Sequence, residues 1–275
     1  MLTSVPVAAR PDFGISAVSC RADHTRWSAP EVRADYRVVL VRRGLFRRRA
    51  AGVPADVDTT LAYVGVPGEE ESFAHPAGGD VCTSISVTPR LWRSLAGDSG
   101  PTARTIYIDP RIDLAHRRLL TAARSDDVDY ATAEELLGLL STVVSRGATG
   151  PTPLGNASVD RDRSLVAAAR EAIAEGDPSA DTLFALADSL GVSPSRLSRA
   201  FPRHLGVSVT RYRHRVRIGR ALDRLEAGET SLSALAADLG YADQAHLTRT
   251  MRQYLDHTPT ALRRLLAPAP ESAHP

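Results

Sequence analysis

The sequence has no lysine, only two cysteines and no long apolar run. Two cysteines in 275 residues are too few for the disulfide framework of a small secreted domain. No segment approaches the run of about 18 apolar residues that a membrane-spanning helix requires, and the first residues do not resemble a secretory signal peptide. We therefore expect a cytoplasmic protein that makes no contact with a membrane.

The absence of lysine means that all 34 basic residues are arginines, although the net charge is only +2. A GC-rich genome is enough to explain this bias. Arginine also carries forked donors that suit phosphates and guanine edges. The number of arginines is therefore uninformative, and only their positions can indicate a nucleic-acid surface.

Length and composition predict two folded domains. A chain of 275 residues exceeds the usual size of a single hydrophobic core, and 43% hydrophobic with 24% charged residues is typical of a soluble globular protein. Glycine and proline are concentrated in residues 147–158, which predicts a linker. We expect one domain in residues 1–146 and another in residues 159–268.

The first domain has the pattern of an antiparallel β-barrel or sandwich. Short runs of alternating apolar and polar residues, separated by glycine and proline, occur at Tyr36–Val41, Thr60–Val64 and Val81–Val87. In the last run, alternation predicts two opposite faces. One face holds Val81, Thr83, Ile85 and Val87, and the other holds Cys82, Ser84 and Ser86.

A cluster of arginines in the same domain has two interpretations. By composition it resembles a nucleic-acid patch or a localisation signal. The apolar Leu45 and Phe46 in its middle instead fit a strand or hairpin with an apolar inner face, so we expect a charged barrel surface. The cluster consists of Arg42, Arg43, Arg47, Arg48 and Arg49.

Two amphipathic helices are predicted after the strands. The first follows Asp109-Pro110, a capping pair, and the second lies around residues 136–144. We expect their apolar stripes to pack on the barrel or on each other, although paired helices also build dimer seams. The stripes are Ile112, Ala115, Leu119 and Ala123 in the first helix, and Leu136, Leu137, Leu140, Val143 and Val144 in the second.

The second domain contains an internal repeat. Residues 182–191 are echoed by residues 231–240, and the similarity continues beyond both segments. Each copy has an amphipathic helix, a glycine turn, a capping residue and a second helix with a polar outer face, which is the pattern of a helix-turn-helix unit. The caps of the second helices are Ser193 and Asp243, and the inward residues are Leu197 and Phe201 in one copy and Leu247 and Met251 in the other.

The polar outer faces supply the candidate DNA contacts. Arginine, glutamine and threonine pair with guanine, adenine and phosphate respectively. The base-contacting candidates are Ser195, Arg196, Ser198 and Arg199 in the first unit, and Gln244, Ala245, His246, Thr248 and Arg249 in the second. The phosphate-contacting candidates are Arg203, Arg211, Arg213, Arg217 and Arg252.

A helix predicted at residues 208–225 connects the two units. Its length of about 27 Å approaches the roughly 34 Å between successive major-groove faces of a duplex. We expect Val209, Tyr212 and Val216 to face the first unit. Eight arginines and no acidic residue fall between Ser195 and Arg220, which favours phosphate binding. The residues expected to face the second unit are Ile218, Ala221, Leu222 and Leu225.

The segment Leu239–Arg249, continued by His257-Thr258-Pro259, resembles the C-terminal signature of the AraC/XylS transcription regulators, and the likeness covers residues 164–266. The resemblance implies a seven-helix domain with two recognition helices, with base-facing roles for most of the candidates above. Two positions depart from the family pattern. Pro202 is expected to shorten the first recognition helix, and Asp256 stands where a left-handed glycine is usual.

The resemblance also implies a cupin-like first domain that binds a small-molecule effector or mediates homodimerisation, with double-stranded DNA and RNA polymerase as further partners. The alternative is a cupin enzyme, or a small-molecule or metal carrier, with a DNA-binding tail. Metal-dependent cupins need a cluster of His and Glu ligands, but His75 has no histidine two residues away, and residues 69–71 lie in a turn-like context. We therefore expect no catalytic residues.

Cys20, His24, His75 and Cys82 form the last candidate site. The two segments that carry them would bring all four together if they paired as strands. Thiolate and imidazole suit Zn²⁺, and the two thiols could also form a reversible disulfide. The alternative is that the cysteines are small buried hydrophobic residues, since neither spacing is a known zinc motif.

Overall fold

The computed structural model describes residues 2–21, 25–76, 78–98, 100–124, 127–149 and 157–267. Strands occupy the first part of the chain and helices the rest, which confirms the expected fold class of an antiparallel β-domain followed by helices and then an all-α domain. The strands are β1 (Leu2–Arg10), β2 (Phe13–Cys20), β3 (Glu31–Val32), β4 (Tyr36–Ala50), β5 (Val53–Asp58), β6 (Leu61–Gly65), β7 (Glu70–Ala74), β8 (Asp80–Val87) and β9 (Thr105–Tyr107).

The strands pair antiparallel in the order β1-β2-β8-β4-β6-β9. The long strand β4 changes partners along its length. Its first half pairs with β6 and β8, and its second half pairs with β5 and β7. The change follows a bulge between Val41 and Arg43 and the left-handed Gly44 (φ 79°), where a Cβ atom would overlap the carbonyl oxygen of Gly79.

Both faces of the sheet are buried, which corrects the expected half-buried pattern of β8. Ile85 and Val87 face the helices, and Cys82 lies in a different cluster with residues of β4 and β6. Val81, expected on the apolar face, is exposed. Each face of the sheet is packed against other apolar residues. Alternating residues of β8 therefore enter two different apolar clusters, one with the helices and one with residues of β4 and β6.

The arginine cluster on β4 is only partly a charged surface. Arg48 is 3% exposed, because its guanidinium donates to Glu71 and Glu69 and lies 4.6 Å from the ring centroid of Tyr63. The expectation that all five arginines coat the barrel is therefore wrong for Arg48. A buried guanidinium requires anionic partners, and β7 with the residue before it provides them.

Three helices cover the sheet: α1 (Pro89–Ala96), which was not predicted, α2 (Pro110–Ala122) and α3 (Ala133–Thr149), the last preceded by a π-helical turn at Val128–Thr132. The Asp109 side chain caps α2 as expected. The buried stripes of α2 and α3 pack on the sheet, rather than forming an exposed seam. Leu137 is exposed instead of lying on the stripe of α3, and Leu139 takes its place.

Within residues 157–267, the described portion of the C-terminal part, there are seven α-helices, as the resemblance implied. They are α4 (Ala157–Glu175), α5 (Leu183–Ser189), α6 (Pro194–Leu205), α7 (Val209–Glu226), α8 (Leu232–Asp238), α9 (Gln244–Leu255) and α10 (Pro259–Leu266), with a 3-10 turn at Pro178–Asp181. The predicted linker, residues 147–158, begins and ends in helix, and residues 150–156 lie outside the described part. In the described residues, no helix combines the length and apolar character needed to cross a bilayer.

Candidate nucleic-acid interface

Helices α5 and α6 form the first helix-turn-helix unit. Gly191 between them has the left-handed φ of 66° that a tight exit from α5 requires. The Ser193 side chain accepts a hydrogen bond from the backbone N–H of Arg196 at 3.2 Å, and Pro194 is the first residue of α6. Leu197 and Phe201 are fully buried, so the opposite face of α6 points to solvent.

Helices α8 and α9 repeat this geometry. Gly240 has a φ of 68°, and Asp243 Oδ1 accepts from the backbone N–H of His246 at 2.6 Å. Leu247 and Met251 are fully buried at the positions equivalent to the inward residues of α6. The two predicted helix-turn-helix units, their caps and their inward residues are therefore confirmed.

The two recognition helices also end alike. Gly206 (φ 70°) and Asp256 (φ 61°) both adopt the left-handed conformation, and their N–H groups donate to Pro202 O at 3.0 Å and Arg252 O at 2.9 Å. Each helix has 12 residues, so the expectation that Pro202 shortens α6 is wrong. Proline removes only one backbone donor, and the next turn of α6 still closes on the carbonyl group of Pro202.

Most predicted base-contacting residues are exposed on these helices. Arg196 pairs with Asp162 at 3.0 Å, and Arg199 Nε donates to Ser195 O at 3.3 Å within its own helix. His246 and Thr248 are half-buried, and the ring of His246 packs edge-on against Tyr241. The exposed set is Ser195, Arg196, Ser198, Arg199, Gln244, Ala245 and Arg249.

The predicted phosphate contacts differ in the exposure and in the bonding partners of their guanidinium groups. Arg203, Arg211 and Arg252 are exposed. Arg213 is half-exposed and pairs with Asp181 at 3.2 Å. Arg217 donates to Leu239 O at 2.8 Å and lies 4.1 Å from the ring centroid of Tyr241, and burial lowers its pKa. Arg217 therefore joins α7 to the second unit.

The connecting helix α7 packs against both units, as expected. Val209 and Tyr212 lie in a cluster with the first unit, whereas Ile218 and Leu222 lie in a cluster with the second. Its 18 residues give a length of about 27 Å. The polar faces of α6 and α9 are therefore attached to the two ends of one rigid helix.

A third face of α7 contacts the β-domain through Arg215. This residue is 3% exposed; its guanidinium donates to Ile108 O at 2.6 Å and Thr59 O at 2.8 Å, and lies 3.2 Å from Asp113. The arginine run that favoured phosphate binding thus includes a residue whose partners all belong to the first domain. Sequence reasoning missed this role, because Arg215 carries no local signal that distinguishes it from Arg213.

Arg117 of α2 strengthens the same contact. It pairs with Asp113 of its own helix at 3.0 Å, and with Asp223 and Glu226 of α7 at 2.7 and 2.8 Å. Burial opposes the charge of Asp113, but Arg215 and Arg117 outweigh it and lower its pKa to about 2. Arg42 on β4 also reaches Glu226, at 2.8 Å. The two domains therefore meet through a charge-compensated network that is buried at Asp113, Arg117 and Arg215 and opens to solvent at Asp223.

The predicted cysteine and histidine site is partly brought together. Cys20, at the end of β2, pairs in register with Asp80 of β8, and His75 Nδ1 lies 2.6 Å from Asp80 Oδ1. The Cys82 thiol donates to Asp80 Oδ2 at 2.8 Å, and burial together with that carboxylate raises its pKa. His24 lies outside the described residues. Asp80 was missed, although it shares a strand face with Cys82 two residues away.

A family model described as a helix-turn-helix domain matches residues 186–265. The HTH-type transcriptional activator RhaS of Pectobacterium atrosepticum is 30% identical over 78 residues, which cover 28% of each chain. Residues 186–265 form an AraC-type helix-turn-helix domain.

An uncharacterized HTH-type transcriptional regulator of Haemophilus influenzae is 29% identical to this chain over 79 residues, which cover 29% of this chain and 26% of that protein. The matches thus span about a quarter of the length of these relatives. Among solved structures, the C-terminal domain of AraT, a response regulator from Geobacillus stearothermophilus, is 27% identical and covers 40% of this chain and 93% of that chain, with a TM-score of 0.37. Fatty-acid-bound ToxT of Vibrio cholerae is 10% identical and covers 96% and 99%, with a TM-score of 0.38.

Proposed function

We propose that the chain is a transcription regulator that binds double-stranded DNA through α6 and α9. The repeated geometry carries this proposal: both helices begin at a side-chain cap, bury one apolar face and present a polar face to solvent. An exposed helix of this kind fits the major groove. The relation of the AraC-type domain to bacterial transcriptional regulators supports the same function.

Arg199 and Arg249 are the base contacts that matter most in this proposal. They occupy equivalent positions of the repeat, two residues after the buried Leu197 and Leu247, and both are exposed. A guanidinium group at such a position can donate two hydrogen bonds to the major-groove edge of guanine. Gln244 is the corresponding candidate for adenine. The other exposed candidates on α6 and α9 would contact the duplex around these three residues.

Exposed arginines beside the recognition helices would bind phosphate. Arg203 and Arg252 lie in the last turns of α6 and α9, and Arg211 lies in the first turn of α7. Arg213 would have to exchange Asp181 for a phosphate oxygen. Arg217 would have to break its hydrogen bond to the carbonyl group of Leu239, so a phosphate contact by Arg217 costs more free energy than one by an exposed arginine.

The β-domain, residues 1–146, is proposed to regulate the DNA-binding domain, residues 159–268. The network around Arg117 and Arg215 joins α2 to α7, and α7 fixes the spacing of the two recognition helices. A ligand that changes the position of α2 would therefore change the fit to DNA. A small-molecule effector, a second copy of the chain and RNA polymerase complete the set of proposed partners. The protein would act in the bacterial cytoplasm, as a regulator and not as an enzyme.

The base contacts are tested on the full chain with a site selected from a random duplex library. Arg249→Ala should reduce discrimination at particular base pairs by roughly 1–3 kcal/mol. Arg252→Ala, an equally exposed arginine one turn later in α9, is the matched control. It should weaken binding to all sequences and reduce the dependence of log K on log salt concentration by about one.

Fluorescence anisotropy on the selected site and on duplexes with single substitutions measures both effects. Arg199→Ala should act as Arg249→Ala does, but at base pairs in the other half of the site. Losses of affinity that are equal in all three variants and independent of the DNA sequence would contradict the assignment of Arg199 and Arg249 as base contacts. Failure of the unaltered chain to select any sequence would overturn the proposed function.

A further inference from the structure

The end of β2 and the start of β8 hold a compact set of ligand atoms. One atom each from Cys20, His75 and Asp80 lies within 4.8 Å of the other two. Cys20 and Asp80 are 6% exposed, and the side chain of His75 is 15% exposed. Donors around a Zn²⁺ ion stand roughly 3 to 4 Å apart when each is about 2.0–2.3 Å from the metal. Small side-chain rotations would therefore bring the three atoms to one ion.

The backbone is shaped to bring these residues together. Gly79, just before β8, has a φ of 106°, and a Cβ atom there would overlap the carbonyl oxygen of Cys20. The same Gly79 carbonyl group approaches Gly44 on β4 so closely that no side chain fits there either. Two glycines thus let the segment leading to Asp80 lie directly between β2 and β4.

The charges of the cluster also call for a cation. The side chain of Asp80 is 3% exposed, and among the described residues the ion pairs of Asp80 involve only His75. Two other deeply buried carboxylates have arginine partners: Asp113 pairs with Arg117 and Arg215, and Glu71 pairs with Arg48. A buried carboxylate requires a compensating charge, and one divalent ion with one thiolate, one carboxylate and a neutral imidazole forms an electrically neutral site.

We propose that Cys20, His75 and Asp80 bind a divalent transition-metal ion, with Zn²⁺ as the preferred ion. The mixed sulfur, nitrogen and oxygen donor set suits a borderline metal and not Mg²⁺ or Ca²⁺. On binding, the metal takes the place of the proton between His75 Nδ1 and Asp80 Oδ1. A ring that was neutral then carries its proton on Nε2, a ring that was protonated loses one proton to solvent, and the Cys20 thiol also releases its proton to solvent. Three protein ligands leave one tetrahedral position for water or a small molecule.

Cys82 acts through Asp80 in this site. Its thiol donates to Asp80 Oδ2, whereas His75 Nδ1 lies 2.6 Å from the other oxygen, Oδ1. The hydrogen bond holds the carboxylate so that Oδ1 faces the other two ligands, which makes Cys82 a positioning residue. Groups in this role typically change metal affinity by about 10–100-fold when they are replaced.

The test uses the full chain, kept reduced, freed of metal with a chelator and titrated with Zn²⁺ against a chromophoric competitor. One ion should bind to each chain. Cys20→Ser, His75→Gln and Asp80→Asn should each weaken binding by at least about 100-fold. Cys82→Ala, which removes the hydrogen-bond donor to Asp80, should weaken it by about 10–100-fold, and Cys82→Ser, which keeps a donor, should weaken it less. His116→Gln is the matched control: this buried histidine bonds to Thr83 on β8 and takes no part in the cluster. It should leave the affinity unchanged.

A second measurement does not depend on the folding of variants. Co²⁺ added to the unaltered chain should produce the intense near-ultraviolet absorption of a thiolate-to-metal charge transfer, and Zn²⁺ should remove it. Folded, reduced protein that binds no stoichiometric Zn²⁺ or Co²⁺ overturns the proposal. So does a Co²⁺ complex without thiolate absorption.

Discussion

Replacing Asp113 with asparagine removes the carboxylate that lies between Arg117 of α2 and Arg215 of α7. Its pKa in the folded chain is about 2, compared with 3.8 for an ordinary aspartate. At about 1.4 kcal/mol for each pH unit, this difference corresponds to about 2.5 kcal/mol of stability at neutral pH. Both arginines keep other partners in the variant, so the loss should stay below the upper end of the roughly 3–5 kcal/mol seen when a buried pair is broken.

The stabilising effect of Asp113 should depend on pH in one direction. The folded-state pKa lies below the unfolded value, so the carboxylate contributes its full stability above about pH 4 and loses it as the pH falls towards 2. Urea unfolding of the full chain, followed by circular dichroism, should show Asp113→Asn less stable than the unaltered chain at neutral pH. The difference should shrink in acid.

Asp238→Asn is the matched control for this substitution. Asp238 pairs with Arg224 at 3.1 Å, but its side chain is 56% exposed, so water screens the interaction and little stability should be lost. Equal losses for Asp113→Asn and Asp238→Asn at neutral pH would refute the argument that the domain contact depends on a buried ion network. A loss at Asp113 that persists unchanged in acid would also refute it.

Two further predictions concern buried groups near the same contact. Burial, together with Arg42, lowers the pKa of His116 from 6.5 to about 3, so protonation favours unfolding, and stability falls as the pH drops from 6.5 towards 3. This effect lowers the free energy of unfolding by about 2 kcal/mol at pH 5, and His116→Gln should remove it. Parallel pH profiles of urea unfolding for the unaltered chain and the variant would contradict the prediction. Gly219→Ala should destabilise the chain by about 1–3 kcal/mol, because its Cβ would lie 2.5 Å from Nη1 of the buried Arg215. Gly138→Ala, a helical position with no atom near the new Cβ, should instead stabilise it by about 0.5–1 kcal/mol in the same urea assay, and equal shifts for both glycines would contradict the steric argument.

The DNA-binding units could be predicted from the sequence because their signals are local. Each cap bonds within three residues, as Ser193 and Asp243 do, and each inward residue recurs at helical spacing. The repeat doubled this evidence, since the same signals occur twice. Even here one local rule misled: Pro202 predicts an early helix end, but the surrounding core and the Gly206 cap keep α6 as long as α9.

The β-domain was predictable only in outline. Alternation located the strands, but it did not indicate that β4 changes partners after Gly44 or that helices cover the second face of the sheet. Both features depend on segments far apart in the chain. The burial of Arg48 follows from them, because pairing of the second half of β4 with β7 brings Glu71, and Glu69 just before β7, to its guanidinium group.

The sequence by itself determined the helix-turn-helix units, their caps and the polar faces of α6 and α9, since these depend on residues within a turn or two of one another. Only the tertiary structure decided what each arginine of α7 does. Arg213 and Arg215 are two residues apart on the same helix, yet one is half-exposed and the other is buried against Asp113. The reason is that the electrostatic environment of a charged side chain depends on the surfaces packed around it, and for Arg215 those surfaces come from about a hundred residues earlier in the chain.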